Sequence, residues 1–171
     1  MSVNVIEEFL KAIQILQNDS SCDEDKINAL DLIADYIDNI DFANSFVKVE
    51  GADILLKCMA ETNKSVQVPT INIVAEMCQN NPFCQKYFCE KDVMDLLMHF
   101  LDNDDYDIVA SALYALSAMV RNFEPALAEL QKRGGLKCIL NCLNKNCDRV
   151  FVKACFLLTS ISSEFSLIRG K

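Results

Sequence analysis

The residues of this chain that could perform chemistry do not form an enzymatic site. Among 171 residues there are nine cysteines and one histidine, His99, and no cysteine pair has the Cys-x-x-Cys spacing typical of zinc sites. The sequence also has no phosphate-binding loop, no Gly-x-Ser-x-Gly segment and no paired metal ligands. We therefore expect no catalytic residue, no cofactor and no metal. An enzyme with a reactive cysteine is the weakest of three functional hypotheses.

Polar side chains that could bind a partner recur every 42 residues. Three sequence columns hold such residues, namely Asp53, Asp95 and Lys137, then Lys57, His99 and Asn141, then Glu61, Asn103 and Lys145. Residues four apart lie on the same face of a helix, so each helix presents one polar face. In a curved stack of repeats, such faces form a continuous binding strip, for which the first two columns supply the candidates. The alternative is an outer face that only contacts solvent.

The same 42-residue period positions the apolar residues that must hold these faces in place. Aligned sets include Gly51, Val93 and Gly135, then Leu55, Leu97 and Ile139, then Val74, Leu116 and Leu158. Within each row the apolar residues follow a three- and four-residue spacing, which predicts helices. Such units bury their apolar faces by stacking on one another. The pattern predicts an all-α solenoid of about three full repeats, with an N-terminal cap helix from Ile6 to Gln17.

The repeat also predicts how the chain is divided. We expect a single domain over residues 1–171, with a cap over about 1–28 and repeats over 29–69, 70–111 and 112–153. The segment from Ala154 would begin a partial fourth repeat, over 154–171. Between the first two rows the alignment also indicates a slip to 41 residues, which predicts one loop residue fewer.

Most of the cysteines fall at positions that the repeat assigns to the core. Four share columns with apolar residues, namely Cys58 and Cys142 with Phe100, Cys78 with Val120, and Cys155 with Leu113. A buried thiol packs as a small apolar group. These four are therefore predicted core residues, while Cys84, Cys89 and Cys147 remain unassigned.

The stretch "ASALYALSAMVRN", from Ala110 to Asn122, ends a charge-free run at a lone arginine. A guanidinium is rarely left in an apolar core, so Arg121 lies where this helix reaches the surface. It either binds the last carbonyls of its own helix or contacts a partner. Asn122 shares a column with Asn80, and asparagine at a helix end favours a cap or the left-handed conformation.

Charge and hydropathy exclude several classes of partner. The net charge is −9, with −14 in residues 1–110 and +5 in residues 111–171, which argues against nucleic acid. The longest charge-free run is too short to span a membrane, and the start "MSVNVIEEFL" lacks the basic residues of a secretory signal. Nine cysteines are then expected to be reduced. We expect a cytoplasmic protein that acts as a monomer.

Three segments resemble one armadillo family. They are "DNIDFANSF" (Asp38–Phe46), "CQNNPFCQ" (Cys78–Gln85) and "ALYALSAMVRN" (Ala112–Asn122). They are similar to segments of the cytosolic nucleotide-exchange factors of seventy-kilodalton heat-shock chaperones, known as heat-shock-protein-binding protein in animals and Fes-type factors in yeast. The resemblance extends over roughly residues 24–162.

The resemblance implies a right-handed armadillo solenoid that clamps the chaperone's ATPase domain and promotes ADP release. It also implies chaperone contact at the positions of Ala43 and Arg121, although Ala43 could equally be a small residue that lets helices pack closely. Family members usually have a flexible N-terminal segment and at least one further repeat, so a smaller contact surface is expected here. The second hypothesis is an armadillo adaptor that binds another protein without affecting nucleotide.

Overall fold

A computed structural model describes residues 3–169 of the chain, with side chains from residue 4 to residue 164. Over this range the chain forms eleven α-helices and no strand. The helices are α1 (Val3–Gln17), α2 (Asp23–Ile37), α3 (Ile40–Lys48), α4 (Gly51–Met59), α5 (Lys64–Cys78), α6 (Pro82–Glu90), α7 (Val93–Phe100), α8 (Tyr106–Val120), α9 (Glu124–Lys132), α10 (Gly135–Cys142) and α11 (Asp148–Arg169). None of these helices is long and apolar enough to cross a membrane.

The helices from α3 onward repeat in a short, short, long order with a 42-residue period. The first helices of the triplets begin at residues 40, 82 and 124, the second at 51, 93 and 135, and the third at 64, 106 and 148. The predicted period is confirmed, but the predicted slip to 41 residues is wrong. A loop that is one residue longer before α8 offsets a helix, α7, that is one residue shorter than α4.

The repeat boundaries predicted at 69/70, 111/112 and 153/154 each fall inside a long helix, in α5, α8 and α11 respectively. Units made of whole helices begin instead at Ile40, Pro82 and Glu124. Residues 154–169 continue α11. Sequence columns give the period of a repeat but not the point in the period where a helix begins, which explains the difference.

The chain folds as two compact units, one that ends at Met77 and one that begins at Cys78. In the first unit, α1 packs against α2, α3 and α4. Its core contains an edge-to-face pair of Phe9 and Phe46 with ring centroids 5.0 Å apart. A Cβ atom at Gly51 would overlap the Phe46 ring, so a glycine lets α4 approach α3 closely.

In the second unit, α8 is the central helix and packs against α6, α7, α9 and α11. Eleven of its residues are buried, as expected for a helix without charges along its apolar run. Across the neighbouring α11, Val150, Ala154, Leu157 and Ile161 are buried at the spacing of one helix face. This packing places the carboxyl end of α8, where Arg121 lies, beside α11.

The turns between helices also follow the 42-residue period. Glu50, Asp92 and Gly134 directly precede α4, α7 and α10, and all three have a positive φ, between 55° and 76°. Asn80 and Asn122 have φ values of 49° and 55°. Of the two structural roles expected for these asparagines, a cap or the left-handed conformation, the structure shows the second.

Candidate functional site

The residues predicted to bind a partner lie in three different settings. Six of them are exposed on second helices of the triplets, with Asp53 and Lys57 on α4, Asp95 and His99 on α7, and Lys137 and Asn141 on α10. Arg121 is half-buried at the carboxyl end of α8. Ala43 lies in α3 and is only 1% exposed. Surface and core positions were thus both among the candidates.

The four candidates on α7 and α10 form an exposed face in the second unit, here termed the polar strip (Asp95, His99, Lys137 and Asn141). Each of these helices buries the opposite face, through Val93, Met94, Leu97 and Phe100 in α7 and through Gly135, Ile139 and Cys142 in α10. At the far ends of the two helices, Lys145 Nζ donates to the carbonyl of Asn103 at 3.0 Å. That bond joins two members of the third polar column, which therefore connects loops within the unit.

Arg133, the residue that ends α9, holds the other end of the polar strip. Its guanidinium forms an ion pair with Asp95, bonds Glu129 at 2.7 Å through Nε, and bonds Asp92 at 3.0 Å. The hydrogen bond to Asp95, followed by that to Glu129, raises the pKa of Arg133 above its usual value. Asp95 is exposed, but its carboxylate is already paired with Arg133. Residue-type columns did not reveal Arg133, because Lys91 and Val49 stand at the equivalent positions.

In the first unit, Glu61 of the third polar column also forms an internal bond. Lys26 Nζ lies 2.9 Å from Glu61 Oε1, and this hydrogen bond raises the pKa of Lys26. The Lys26 side chain is mostly buried, so the pair is shielded from solvent on one side. Within each unit, a bond made by a third-column residue thus joins two separate segments of the chain.

The burial of Ala43 supports the interpretation that it is a small residue that lets helices pack closely. It lies on the face of α3 that also buries Phe46 and Val47. A side chain that is 1% exposed cannot contact a partner directly. A larger residue here would have to displace core atoms, and overpacking typically costs about 1–3 kcal/mol. Direct contact through the Ala43 side chain is therefore inconsistent with this structure.

Arg121 does not bind the last carbonyls of α8 through its side chain. Those carbonyls accept hydrogen bonds from Gln85, whose Nε2 lies 2.9 Å from the oxygen of Ala118 and 3.0 Å from that of Arg121. The Arg121 guanidinium instead donates from Nη2 to Ser117 Oγ at 3.2 Å. Its Nε is buried and has no hydrogen-bond partner among the described residues. The guanidinium is therefore held in position by Ser117.

Gln85 is a positioning residue that the sequence pattern did not reveal. Its side chain is 1% exposed and extends from α6 to the end of α8. It lies in "CQNNPFCQ", and its acceptors lie in "ALYALSAMVRN", so two of the segments used to recognise the family meet at this point. Next to it, Asn81 caps α6 by accepting from the backbone N–H of Cys84.

A groove opens beside Arg121 between α8 and α11. This Arg121 groove has a volume of about 510 Å³ and is lined by Arg121, Phe151, Val152, Cys155, Phe156, Thr159, Ser160 and Ser163. An adjoining cavity of about 240 Å³ shares Arg121, Val152 and Phe156 and adds Tyr114, Ser117 and Lys153. The Phe156 side chain is 69% exposed and that of Val152 is 58% exposed. The groove combines exposed apolar surface with a partly bonded guanidinium.

The cysteine predictions hold for three of the four residues assigned to the core. Cys58, Cys78 and Cys142 are fully buried, whereas Cys155 is half-buried and lines the Arg121 groove. Of the unassigned residues, Cys84 is fully buried, and burial raises its pKa to about 12. Burial likewise raises the pKa of Cys58 to about 11. Such thiols remain protonated near neutral pH and are poor nucleophiles.

Two family models match the sequence. One, described as SIL1/FES1/HPBP1 C-terminal domain, matches residues 42–170, and the other, described as nucleotide exchange factor Fes1, matches residues 1–46. The first of these matches includes α8, α11 and the Arg121 groove.

Individual relatives agree with these models. The Hsp70 nucleotide exchange factor FES1 of Candida albicans is 29% identical over 90% of this chain and 54% of its own length. The nucleotide exchange factor SIL1 of Xenopus laevis is 25% identical over 98% of this chain and 38% of its own. Human Hsp70-binding protein 1 is 25% identical over 81% of this chain and 39% of its own. The chain thus spans about half the length of these relatives, or less.

Solved structures with a similar fold include a designed armadillo repeat protein and an engineered protein. A designed armadillo repeat protein in complex with the peptide (KR)4 has a TM-score of 0.81 at 15% identity, over 90% of this chain and 64% of that one. An engineered protein has a TM-score of 0.80 at 19% identity, over 89% of this chain and 61% of that one. The predicted armadillo-type helical solenoid is therefore confirmed as the fold, and these similarities concern the fold alone.

Proposed function

Since the chain belongs to the SIL1/FES1/HPBP1 family, we propose that it binds the ATPase domain of a seventy-kilodalton heat-shock chaperone and promotes release of ADP. The observation that carries this proposal is the family match over residues 42–170, which includes the Arg121 groove. Relatives named Hsp70 nucleotide exchange factor and Hsp70-binding protein support both the partner and the effect on nucleotide.

Exchange of this kind requires no chemistry from the protein itself. If the chain binds the open, ADP-poor form of the ATPase domain more tightly than the closed form, it must weaken ADP binding by the same factor. A hundredfold weakening corresponds to about 2.7 kcal/mol of differential binding, which a few well-placed contacts supply. The protein is thus proposed to act as a binding partner and not as an enzyme.

The proposed contact surface centres on Arg121. Its guanidinium is held by Ser117 while the helix end is held by Gln85, so a partner meets a cation whose position is already fixed. Preorganised donors lose less conformational entropy on binding than mobile ones. The polar strip and the exposed residues Asp53 and Lys57 are proposed to add weaker contacts. Ala43 is proposed to support the surface only from within the core.

The proposed partner is a cytosolic chaperone, which one copy of the chain binds as a monomer. All nine cysteines of the chain are unpaired in the structure. Unpaired thiols in this number are typical of proteins from reducing compartments, whereas secreted proteins tend to form disulfides.

Release of a fluorescent ADP analogue from a purified cytosolic chaperone tests this function. In a stopped-flow experiment, micromolar concentrations of the chain should accelerate release from the isolated ATPase domain. A matched titration should show complex formation at the same concentrations. Binding without acceleration would favour the adaptor hypothesis, and the absence of both would reject the proposed partner.

A further inference from the structure

The apolar residues on the outer side of α11 are exposed at positions where α8 is covered. Val152 stands 42 residues after Ala110, which is only 3% exposed, and Phe156 stands 42 residues after Tyr114. Tyr114 is itself covered by Lys153, whose Nζ lies 5.0 Å from the ring centroid. Val152 and Phe156 thus present an apolar surface that the described residues leave open to solvent.

Cationic side chains border this apolar surface. Arg121 lines the groove on one side, and Lys153 lines the adjoining cavity. Arg149, in the first turn of α11, is already paired with Asp107. Among the described residues, the positive charge beside the groove that is not in an ion pair therefore comes from Arg121 and Lys153.

The carboxylate on this part of α11 is already engaged elsewhere. Glu164 Oε1 accepts a hydrogen bond from the backbone N–H of Asn122 at 3.1 Å. It therefore caps the turn that follows α8. Among the described residues no carboxylate is paired with Arg121, which leaves this cation for a carboxylate of the partner.

We propose that the Arg121 groove receives a segment of the partner in which a large apolar side chain lies next to a carboxylate. The apolar side chain packs against Val152 and Phe156, and the carboxylate pairs with the planar donor fork of Arg121. This inference rests on the proposed function, because it specifies the chemistry of the chaperone surface that the groove binds. Aromatic anchors next to an arginine are typical of the residues that dominate interface energies.

The charges favour such a partner over a second copy of this chain. A symmetric contact between two grooves would bring Arg121 and Lys153 of one copy close to the same residues of the other. Like charges facing one another across an interface oppose association. An acidic and apolar segment meets both the cations and the exposed ring without this repulsion.

The test compares two phenylalanines that are both exposed in the second unit. Phe156 lies in the groove, whereas Phe83 lies on α6 and is 46% exposed. Titration calorimetry with the isolated ATPase domain should show at least roughly tenfold weaker binding for Phe156→Ala and unchanged binding for Phe83→Ala. Because Phe156 is exposed, the substitution should leave the melting temperature within about two degrees.

A second measurement tests the carboxylate. Raising the salt concentration should weaken wild-type binding more than binding of Arg121→Ala, since the variant has lost the screened ion pair. Equal salt dependence of the two proteins would overturn the proposed pairing. Unchanged affinity of Phe156→Ala, alongside intact wild-type binding, would overturn the apolar contact and leave the proposed function standing.

The remaining outcomes separate the inference from the function on which it rests. If the wild-type chain neither binds the ATPase domain nor releases ADP, the function and the inference both fail. If sedimentation shows a wild-type dimer that Phe156→Ala dissociates, the occupant of the groove is a second copy and the inference is wrong.

Discussion

The polar strip and the Arg121 groove are both surfaces of the second unit, yet they differ in the chemistry of their side chains. In the strip, Asp95 is exposed but is paired with Arg133. In the groove, Arg121 is half-buried and donates to Ser117, and it lies next to a ring that is 69% exposed. Exposure of a charged residue therefore does not measure its availability to a partner. The groove combines its cation with exposed apolar side chains, whereas the strip is made of polar side chains.

This contrast follows from what each surface does for the fold. Arg133 joins the end of α9 to the start of α7, so its charges contribute to stability before any partner arrives. The groove adjoins α8, whose end is fixed by the neutral amide of Gln85 rather than by the arginine. Because an amide makes these structural hydrogen bonds, the guanidinium is not needed to cap the helix.

The largest expected effect is that of Gln85→Leu, which separates positioning from contact. The change leaves the carbonyls of Ala118 and Arg121 without their shared donor, and each unsatisfied buried group costs about 1–3 kcal/mol. We expect the free energy of unfolding to fall by about 2–3 kcal/mol, measured by urea denaturation, together with weaker chaperone binding. Unchanged stability would mean that the amide does not hold the end of α8.

Arg121→Ala should weaken binding without a comparable loss of stability. An interface arginine typically costs about 2 kcal/mol or more when truncated, which is roughly thirtyfold in affinity. The melting temperature should fall by only a few degrees, because the side chain makes one hydrogen bond, to Ser117. The matched control is Ser117→Ala, which removes that bond and keeps the cation. A large fall in melting temperature with binding intact would make Arg121 a structural residue.

Reversing two charges in the polar strip should have a smaller effect. With Asp95→Lys and Lys137→Glu combined, we expect up to roughly tenfold weaker chaperone binding and unchanged helical circular dichroism. The single change Asp95→Lys also breaks the pair with Arg133, which is worth about 0.2–1 kcal/mol at this exposure. If the double reversal weakens binding more than Arg121→Ala does, the ranking of the two surfaces is wrong.

The smallest expected effect is a difference in thiol protection. Cys155 lines the groove and Cys138 lies beside the polar strip on α10, and both are half-buried. Saturating ATPase domain should slow alkylation of Cys155 several-fold, read by mass spectrometry, and leave Cys138 nearly unchanged. Cys84 serves as the internal standard, because burial raises its pKa to about 12 and keeps it protonated at the pH of labelling. Stronger protection of Cys138 would place the partner on the strip.

The sequence predicted those parts of the structure that repeat locally. The 42-residue period, the exposed faces of α4, α7 and α10, and the left-handed Asn80 and Asn122 all depend on residue types within one or two turns. Gln85 could not be found in this way, because its two acceptors lie 33 and 36 residues further along the chain. A hydrogen bond between residues so far apart in sequence produces no periodic pattern of residue types.

Two further differences arise because an apolar residue at helical spacing predicts a buried side chain. Cys155 shares a column with the buried Leu113, yet it is half-buried, since no described helix covers that side of α11. Ala43 shows the reverse case, because a resemblance between sequences cannot separate a residue at a contact from one that supports it from the core. Only burial distinguishes them.

The left-handed turns before α4, α7 and α10 indicate where a substitution would stabilise the chain against heat. The same backbone shape is adopted by Glu50, Asp92 and Gly134, and only glycine does so without steric strain from a Cβ atom. Substituting glycine for Glu50 should relieve that strain by up to about 1 kcal/mol. Glycine at residue 92 would also remove the ion pair between Asp92 and Arg133, so the gain in stability should be smaller. Adapting this domain to higher temperature can therefore begin at residue 50.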